Sequence, residues 1–581
     1  MNIRYTLSFP APHTHYVNVE MYISAIESDE LHLKMAVWTP GSYLIREFQK
    51  NIDFVEWSSV HNSSATDFRR VTNTSKNTWQ IDVKDVKEII VRYSTYCFEY
   101  SVRTNFVDDS HAFINGAPTF LYLEGYENTA AEIHIIPSPA WKNISTSLPA
   151  KGDNKWIRIA GNLDELIDSP LEIGNHPSYF FEAAGVTHEL AIYGKSNCDI
   201  EKLISDLDRI IEVETQIFGS HPCKYYVFII HHTDSSYGGL EHAHSSVNHI
   251  TRWDYDKENY QKAISLLAHE YFHLWNIKRI RPAALIPFNY ESENYTTLLW
   301  FFEGVTSYYD DYICYRAGVT SADNYFEIVA KNINDVLNTP GIEIQTLAES
   351  SFDTWLKYYR RNENSRNSQI SYYTKGAVVA QAFDILIIEA TLGRKNLDDV
   401  MKKLYEDYLT YPENGITEDG LIKAFGAVSG IDFYPYFEKY IHTAETPDVE
   451  FYFNKIGLRL SNTTDSSRVF LGISTQWNEG KLIITQLNRN YGAAASGLNV
   501  EDEIIAIDGF RVFKDFKQIY AHKKPKDVIE MLISRKGELK LIPVSLSSDN
   551  RKSYKLEEQE NILPQQAVLL EKWLTKLKTH E

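Results

Sequence analysis

Residues 264–275 read Ile-Ser-Leu-Leu-Ala-His-Glu-Tyr-Phe-His-Leu-Trp, and they are the most informative stretch of the chain. Their apolar character predicts a buried helix, on which His269 and His273, four positions apart, share one face. Two imidazoles in this arrangement can bind one zinc ion. Glu270 lies beside them and can take a proton from a water molecule and pass it to a leaving amine. Because a bare His-Glu-x-x-His pattern also arises by chance, the prediction depends on a third ligand.

The best candidate for the third ligand is Glu303, a lone carboxylate in an aromatic run. Residues 296–310 predict a second helix, which Gly318 would end. Burying an unpaired carboxylate is costly, so Glu303 needs a partner, and zinc would serve. An ordinary ion pair would also satisfy it. Glu291 and Glu293 are alternative ligands, although they lie in a polar stretch that is typical of a loop.

Length and composition narrow the class of protein around this motif. The chain has 581 residues, of which 43% are hydrophobic and 23% charged, and this excludes a single small domain and wholesale disorder. Its 58 basic and 78 acidic residues give a net charge of −20, which argues against nucleic acid or an anionic membrane as a partner. Since no signal peptide or membrane-spanning run is recognised, a cytoplasmic location is expected. The four cysteines are far apart and are expected to be free thiols.

The residue patterns change along the chain and predict a multidomain α+β protein. Residues 1–170 are strand-rich and favour a β-sandwich-like domain. Residues 171–450 favour an α/β core with a helical part, residues 451–548 a small strand-rich module, and residues 549–581 a charged tail with a helix. The clearest local patterns are strands at 3–9, 88–96 and 225–231 and helices at 200–218 and 566–577.

Three stretches resemble one known family. Residues 269–282, which read His-Glu-Tyr-Phe-His-Leu-Trp-Asn-Ile-Lys-Arg-Ile-Arg-Pro, resemble the signature of the glycyl aminopeptidase family of zinc metallopeptidases. Residues 302–309 resemble its third-ligand helix, and residues 38–48 resemble a motif of its N-terminal domain. The family is related to aminopeptidase-N-like enzymes. The resemblance therefore implies a thermolysin-like catalytic domain, one zinc ion per chain, and peptide substrates with small N-terminal residues such as glycine or alanine.

A glycine-rich stretch resembles the substrate-binding motif of the aminopeptidase-N-like relatives. It reads Tyr-Gly-Gly-Leu-Glu-His at residues 237–242, where the relatives have Gly-x-Met-Glu-Asn. The resemblance implies that Glu241 holds the free amino terminus of the substrate and that Gly238 and Gly239 let the backbone approach it. His242 departs from the motif. A glycine-rich turn with a solvated glutamate is the alternative interpretation.

Further residues near the motif have more than one interpretation. Residues 371–379 resemble the Tyr-x-Lys-Gly helix start of the same relatives, which implies that Tyr373 donates to the oxyanion, with Tyr372 as the alternative. Asp310 follows Glu303 on the same helix face and could orient a zinc-binding histidine, or serve only at the surface or as a cap. The remaining histidines near these stretches offer little support for a second metal: His231, His232, His242 and His244.

The C-terminal strands resemble a PDZ domain in residues 470–474, 482–487, 493–498 and 502–509. The resemblance implies that the loop at 471–473 presents backbone N–H groups to the C-terminal carboxylate of a peptide. Such a module can instead pack on its own catalytic domain. Together these features predict a zinc aminopeptidase, with an inactive peptide-binding adaptor or an endopeptidase on the same fold as alternatives.

Overall fold

The computed structural model describes residues 1–60, 67–257 and 259–577. The last four residues of the predicted C-terminal tail, 578–581, lie outside the described residues. The protein is a multidomain α+β chain, as predicted, and its first part is β-rich. Buried side chains of the described residues form a first core that lies almost entirely within residues 3–173, a large central core and a small C-terminal core.

Besides 3-10 turns at Pro12–Thr14 and Phe48–Asn51, the described residues of the first part form short strands and one short α-helix. These elements are β1 (Asn2–Ser8), β2 (Tyr16–Ser24), β3 (Glu30–Met35), β4 (Ile52–Ser59), β5 (Arg69–Arg70), β6 (Asn73–Ser75), β7 (Thr78–Asp82), β8 (Glu88–Tyr96), β9 (Phe106–Val107), β10 (His111–Ile114), β11 (Leu121–Leu123), β12 (Ala131–Ile136), β13 (Asn143–Ser145), β14 (Ala150–Lys151), β15 (Asn154–Ala160), α1 (Leu163–Ile167) and β16 (Leu171–Gly174). The strands predicted at 3–9 and 88–96 are confirmed as β1 and β8.

These strands form one eight-stranded sheet and two four-stranded sheets. The orders are β14-β15-β12-β1-β2-β8-β4-β5, β13-β16-β10-β9 and β11-β3-β7-β6. In β8, buried residues alternate with more exposed ones, as expected of a strand that has one face on a core. The sheet that contains β10 and β16 faces the central part of the chain, and this contact brings the first part close to the functional site described below.

The central part combines a second sheet with a set of helices. Its elements are β17 (Ser178–Ala183), β18 (Val186–Tyr193), α2 (Ile200–Phe218), β19 (Tyr225–Thr233), β20 (Gly238–Glu241), β21 (Ser245–Thr251), α3 (Tyr260–Phe272), α4 (Leu299–Phe302), α5 (Gly304–Arg316), α6 (Ala322–Leu337), α7 (Leu347–Phe352), α8 (Ser365–Ser368), α9 (Tyr372–Ala390), α10 (Leu397–Thr410), α11 (Glu418–Ser429), α12 (Tyr434–Tyr440) and α13 (Val449–Lys455). The helix predicted at 200–218 and the strand predicted from 225 are confirmed.

The sheet of the central part has the order β17-β18-β19-β21-β20. Strands β18, β19 and β21 run parallel, whereas β20 pairs antiparallel with β21 at the edge of the sheet. Helix α3 packs against β20 and against α5, and α5 packs in turn against α9. The edge strand β20 and the helices α3, α5 and α9 therefore surround one region of the molecule.

The helix predicted at 296–310 needs a correction, because two helices, α4 and α5, replace it and meet at Glu303. The carbonyl of Phe302 accepts hydrogen bonds from the Thr306 hydroxyl (2.6 Å) and from the Asn276 side-chain amide (3.1 Å). Side-chain donors of this kind compete with the backbone ladder and distort a helix. Helix α5 ends at Arg316, and Gly318 follows with φ of +71°, in agreement with the predicted stop.

The C-terminal part contains β22 (Leu458–Asn462), β23 (Val469–Phe470), β24 (Ile473–Asn478), β25 (Lys481–Leu487), α14 (Gly492–Ala495), β26 (Glu503–Ile507), β27 (Phe510–Arg511), β28 (Val528–Arg535), β29 (Glu538–Ser545), β30 (Ser547–Ser548), β31 (Tyr554–Glu558) and α15 (Pro564–Trp573). Its main sheet has the order β24-β25-β26-β28-β29, with β27 beside β26. The predicted tail helix is confirmed as α15, and it docks on the central core, where Trp573 is fully buried and donates to the hydroxyl of Tyr308.

Two general expectations can be compared with the described residues. All four cysteines are free thiols, as predicted. None of the helices in the described part of the chain is both long enough and apolar enough to cross a lipid bilayer.

Candidate active site and metal centre

Helix α3 brings the two histidines of the His-Glu-x-x-His motif together. The Nε2 atoms of His269 and His273 are 3.1 Å apart. The Oε2 atom of Glu303 lies 3.2 Å from Nε2 of His273 and 3.6 Å from Nε2 of His269. Three side chains that are far apart in the sequence thus direct one donor atom each toward a common point.

This donor set fits a zinc ion. Zinc at about 2.0–2.1 Å from each ligand of a tetrahedron requires neighbouring donor atoms about 3.3 Å apart, which is close to the spacings observed. The Nδ1 atom of His269 bonds to Asp310 (3.0 Å) and that of His273 to the carbonyl of Asn276 (2.9 Å). Since these acceptors hold the ring protons on Nδ1, the Nε2 lone pairs are free to bind a metal.

Local structure explains how Glu303 reaches the two histidines. It lies at the junction of α4 and α5, next to Gly304, where α5 approaches α9 closely. A Cβ atom at Gly304 would lie 2.6 Å from the Cα atom of Gly376, so this approach requires glycine. Asn276, which follows α3, bonds both to the end of α4 and, through its carbonyl, to His273. The same residue therefore fixes the position of a histidine and of the helix end that carries the glutamate.

The charges of the three residues stabilise one another. Burial raises the pKa of Glu303, but the neighbouring His273 and His269 outweigh this effect and hold it below its ordinary value. Burial lowers the pKa of His269, whereas the neighbouring carboxylates of Asp310 and Glu303 raise it well above the ordinary value overall. A buried carboxylate that stays ionised between two imidazoles is suited to bind a cation.

The structure separates Glu303 from the alternative ligands. Glu291 accepts hydrogen bonds from Lys34 of strand β3 at 2.8 and 2.9 Å, and its side chain is 42% exposed. Neither Glu291 nor Glu293 is among the described residues that line the cavity around the histidines. The sequence left open whether Asp310 orients a histidine or serves at the surface or as a cap. In the structure it contacts His269 directly and is well placed to orient it.

Glu270 projects toward the edge strand β20. A Cβ atom at Gly239 would lie 2.2 Å from Oε1 of Glu270, so only glycine leaves room for this carboxylate beside the strand. Gly238 has φ of +140°, in the region that favours glycine, and faces open space. Burial raises the pKa of Glu270, and His269 and His273 oppose that rise. Gly239 thus makes room for Glu270, and its predicted approach to a substrate stays a prediction.

Glu241 lies at the end of β20 and is 4% exposed. One of its carboxylate oxygens, Oε1, is buried without a hydrogen-bond partner. Ligand-type atoms of Glu241, Glu270 and His273 all lie within 4.8 Å of one another. A buried carboxylate with an unused oxygen is an unsatisfied acceptor, and a cationic group such as an ammonium would satisfy it.

Tyr373 and Tyr372 occupy different environments at the start of α9. Tyr373 lines the cavity, and its ring stacks on that of His269 with centroids 6.1 Å apart. Tyr372 is fully buried, and its hydroxyl forms a 2.9 Å hydrogen bond with the hydroxyl of Thr354. Of the two, Tyr373 is therefore the tyrosine with access to a bound molecule.

The cavity has a volume of about 770 Å³, and the first part of the chain contributes to its wall. Gly41, which has φ of +82°, lies so close to Glu241 that a Cβ atom would be 2.5 Å from a carboxylate oxygen. The hydroxyl of Tyr359 donates to the carbonyl of Gly41 (3.2 Å), and Arg103 also lines the cavity. Sequence interpretation missed these three residues, although Gly41 lies within the stretch 38–48 that carried the family resemblance.

The other histidines singled out in the sequence have separate partners. His242, which replaces the asparagine of the related motif, forms a hydrogen bond with Asp168 (2.9 Å). This contact gives the histidine a structural role. His244 contacts the thiol of Cys223 (3.1 Å), and His232 contacts the hydroxyl of Tyr255. Of the four, His231 alone belongs to a group with the composition of a metal site among the described residues, together with His111 and Glu172.

Models of known protein families match two regions of the chain. Residues 262–379 match the M61 glycyl aminopeptidase family, and residues 4–175 match the Peptidase M61 N-terminal domain. Among curated protein sequences, none matches the chain significantly.

Solved structures include a crystal structure of an aminopeptidase N family protein from Idiomarina loihiensis, which is 30% identical with a TM-score of 0.92 and covers 99% of this chain and 100% of its own. An M1 zinc metallopeptidase from Deinococcus radiodurans bound to a Tyr-Ser-Ala substrate is 10% identical, with a TM-score of 0.48 and coverage of 77% and 95%. The family matches extend over both the N-terminal and the peptidase region, and the Idiomarina loihiensis structure aligns over nearly the full length of both proteins. This chain therefore belongs to the M61 glycyl aminopeptidase family of peptidases.

Proposed function

We propose that the protein is a zinc-dependent aminopeptidase that removes N-terminal residues, small ones such as glycine or alanine, from peptides. The observation that carries the proposal is Glu241, a buried carboxylate with an unpartnered oxygen, close to both Glu270 and His273. A free amino terminus bound there would leave the first peptide bond near Glu270. The preference for small residues rests on the family resemblance alone.

Each side chain of the site has a distinct role in this proposal. His269, His273 and Glu303 would hold the zinc ion, which when bound polarises the scissile carbonyl and makes a water molecule more acidic. Glu270 accepts one proton from the attacking water and delivers it to the amine that leaves, so the proton is conserved over the reaction. The hydroxyl of Tyr373 donates to the developing oxyanion, a contribution that is typically worth about 2.7–4 kcal/mol.

The wall behind Glu241 favours an aminopeptidase over an endopeptidase. Gly41 packs against the Glu241 carboxylate, and Tyr359 bonds to the carbonyl of Gly41, so the first part of the chain covers this end of the cavity. An endopeptidase needs space for substrate residues on the N-terminal side of the cleaved bond. The close approach of Gly41 to Glu241 reduces the space at that end and so favours an aminopeptidase.

We also propose that residues 451–548 form a PDZ-like module, next to parts at 1–170 and 171–450 and a tail at 549–581. The support is strand β24 at the sheet edge, where a peptide could add, and Gly472 in the preceding loop with φ of +80°. Asn367 of the central part donates to the carbonyl of Leu487 (2.7 Å) and accepts from the backbone of Arg489. The module is thus held against the central part while the edge of β24 stays unpaired by other described strands.

Substitution of the amine anchor tests the proposed function. In Glu241→Ala, a substrate ammonium would lose its buried partner, which typically costs about 2–5 kcal/mol. We therefore expect kcat/KM for aminoacyl-amides with a free amine to fall roughly 30- to several thousand-fold. Glu293→Ala, which changes a glutamate away from the cavity, is the matched control and should retain the parent value.

An N-acetylated substrate separates amine recognition from a general defect. It offers no ammonium, so any slow cleavage should be nearly the same in the parent and in Glu241→Ala. Activity of the parent on free-amine substrates should also disappear with a chelator and return with zinc. An equal loss on both substrates would contradict the role of Glu241, and efficient cleavage of the acetylated substrate by the parent would indicate an endopeptidase.

A further inference from the structure

A row of buried polar side chains lies beside β20, and the proposed mechanism does not use it. We call it the histidine chain, and its members follow one another in the order Ser236, His249, His231, Glu172 and His111. The four successive contacts are Ser236 Oγ to His249 Nδ1 (3.1 Å), His249 Nε2 to His231 Nδ1 (3.2 Å), His231 Nε2 to Glu172 Oε2 (2.9 Å) and Glu172 Oε1 to His111 Nδ1 (2.7 Å). The three histidines and the glutamate are each at most 1% exposed.

The histidine chain connects two parts of the molecule. Glu172 and His111 lie on β16 and β10 of the first part, whereas His231 and His249 lie on β19 and β21 of the central sheet. Ser236 belongs to the loop that leads into β20. The hydrogen bonds therefore run from the sheet of the first part to β21, which pairs with β20, and to the loop before β20.

The positions of the protons follow from the carboxylate. An ionised glutamate only accepts, so Nε2 of His231 and Nδ1 of His111 must both donate to Glu172. Neutral His231 then has a lone pair on Nδ1, which accepts from Nε2–H of His249. Nδ1 of His249 in turn accepts from the Ser236 hydroxyl. His111 keeps an unpaired Nε2, in agreement with its lack of a partner.

The surroundings favour neutral rings. Burial, together with the nearby His231 and Arg103, lowers the pKa of His249 to about 3, although Glu172 opposes this shift. Burial also lowers the pKa of His231, although Glu172 opposes this effect. Neutral rings with one proton each satisfy all four contacts, with donors converging on Glu172 from His231 on one side and His111 on the other, and no metal ion is needed to satisfy them.

Strand β20 needs such support because of its sequence. Two of its four residues, Gly238 and Gly239, have no side chains that could fix the register by packing. Glycine-rich strands at a sheet edge are prone to slip, and a shift by one residue turns every side chain to the other face. His249 lies directly opposite Gly238 in the β20–β21 pairing, and Ser236 lies two residues before Gly238. The histidine chain thus holds both the partner of the strand and the loop before it.

We propose that His249 and His231 are positioning residues that fix the register of β20, and so hold Glu241 at the amine end of the cavity, with Glu172 as their anchor. This role rests on the proposed function only for its catalytic consequence. The ordering of β20 itself requires no substrate and no metal.

Hydrogen exchange measured by mass spectrometry on the full chain tests the proposal. His249→Leu removes both hydrogen bonds, and His249→Gln keeps a side-chain amide that can donate to His231. We expect amides of residues 236–241 to exchange at least tenfold faster in His249→Leu, with largely restored protection in His249→Gln. Because a misplacement of about 1 Å can cost 10²-fold, kcat/KM for free-amine substrates should fall by about 10- to 100-fold in His249→Leu, mainly through KM.

Ser236→Ala is the milder second variant, and Ser235→Ala is its matched control. Ser235 is exposed and precedes the histidine chain, so its substitution should change nothing. Ser236→Ala should speed exchange within 236–241 and leave the rest of the sheet protected. Unchanged exchange in 236–241, or an equal rise over the whole central sheet without rescue by His249→Gln, would overturn the proposal. Faster local exchange in His249→Leu, found together with a parent protein that has no aminopeptidase activity, would support the positioning role and reject the proposed function.

Discussion

Two groups of side chains in this protein share one composition, two histidines and a glutamate, but differ in how their hydrogen bonds are arranged. We call them the cavity set, which is His269, His273 and Glu303, and the buried set, which is His111, His231 and Glu172. In the cavity set, acceptors behind the rings hold the Nδ1 protons, and three donor atoms face one point. In the buried set, the glutamate itself accepts a hydrogen bond from each ring.

The comparison shows that ligand types alone do not define a metal site. What matters is where the ring protons are held, because an imidazole nitrogen that donates a proton cannot also bind a metal. In the cavity set, Asp310 and the carbonyl of Asn276 are the acceptors that hold the ring protons on Nδ1. In the buried set, the second nitrogen of His231 contacts His249, so neither of its nitrogens is free.

The largest expected difference between the two sets is in metal content. Glu303→Ala removes a carboxylate ligand of the cavity set, and we expect zinc per chain to fall from one to nearly zero after dialysis, with activity lost. Glu172→Gln changes the corresponding residue of the buried set, and zinc content should stay at one. Elemental analysis of both variants, beside circular dichroism for folding, provides the measurement.

Two outcomes would break this comparison. Full zinc occupancy in Glu303→Ala would show that another residue is the third ligand, and Glu291 and Glu293 would then need the same test. A second zinc ion in the parent, lost in Glu172→Gln, would show that the buried set also binds metal. Either result would contradict the argument from ring protons.

The next prediction concerns Glu270, the proposed general base, which lies beside the cavity set. Glu270→Gln keeps the size of the side chain but cannot accept a proton. Turnover should fall by about 10²–10⁴-fold, the usual contribution of a general base, while zinc content stays unchanged. Steady-state kinetics with parallel metal analysis checks this. Activity within tenfold of the parent enzyme would contradict the proposed role of Glu270.

The parts of the site that depend on local sequence patterns could be predicted from the sequence. The spacing of His269 and His273 follows from the helical repeat, and it is kept although α3 ends at Phe272, because His273 is the C-cap residue and retains helical backbone angles. Glu303 could be predicted from the sequence because a single carboxylate in an aromatic run needs a partner. The helix break at Glu303 could not be predicted, since it depends on a hydrogen bond from Asn276 to the carbonyl of Phe302, which is 26 residues away in the chain.

Features that depend on contacts between distant segments could not be predicted. The approach of Gly41 to Glu241 joins residues some 200 positions apart, and no periodicity in either segment indicates it. The histidine chain is similar, because His111 and His231 read as ordinary strand residues until β10 and β19 face each other. Patterns of burial predict which faces are covered, but they do not specify what covers them.

The smallest predicted effect concerns the backing acceptor that distinguishes the two sets. In Asp310→Ala, the ring of His269 loses the partner of its Nδ1 proton, although all three ligands remain. Loss of such a supporting contact typically weakens metal affinity by 10–100-fold, so we expect the Kd for zinc to rise by about that factor, far less than in Glu303→Ala. Competition with a chelator of known affinity measures the Kd directly.

Asp311→Ala is the control for Asp310, since it changes the adjacent carboxylate. Asp311 accepts from Ser265 and Gln261 and bonds to neither histidine of the cavity set. Its removal should leave the zinc Kd within a few-fold of the parent value. Equal weakening in the two variants would mean that the loss of negative charge near the cavity matters more than the hydrogen bond to His269. In that case the difference between the cavity set and the buried set would have to be explained by charge. In the described part of the chain, the buried set has no carboxylate among its hydrogen-bond partners besides its own Glu172.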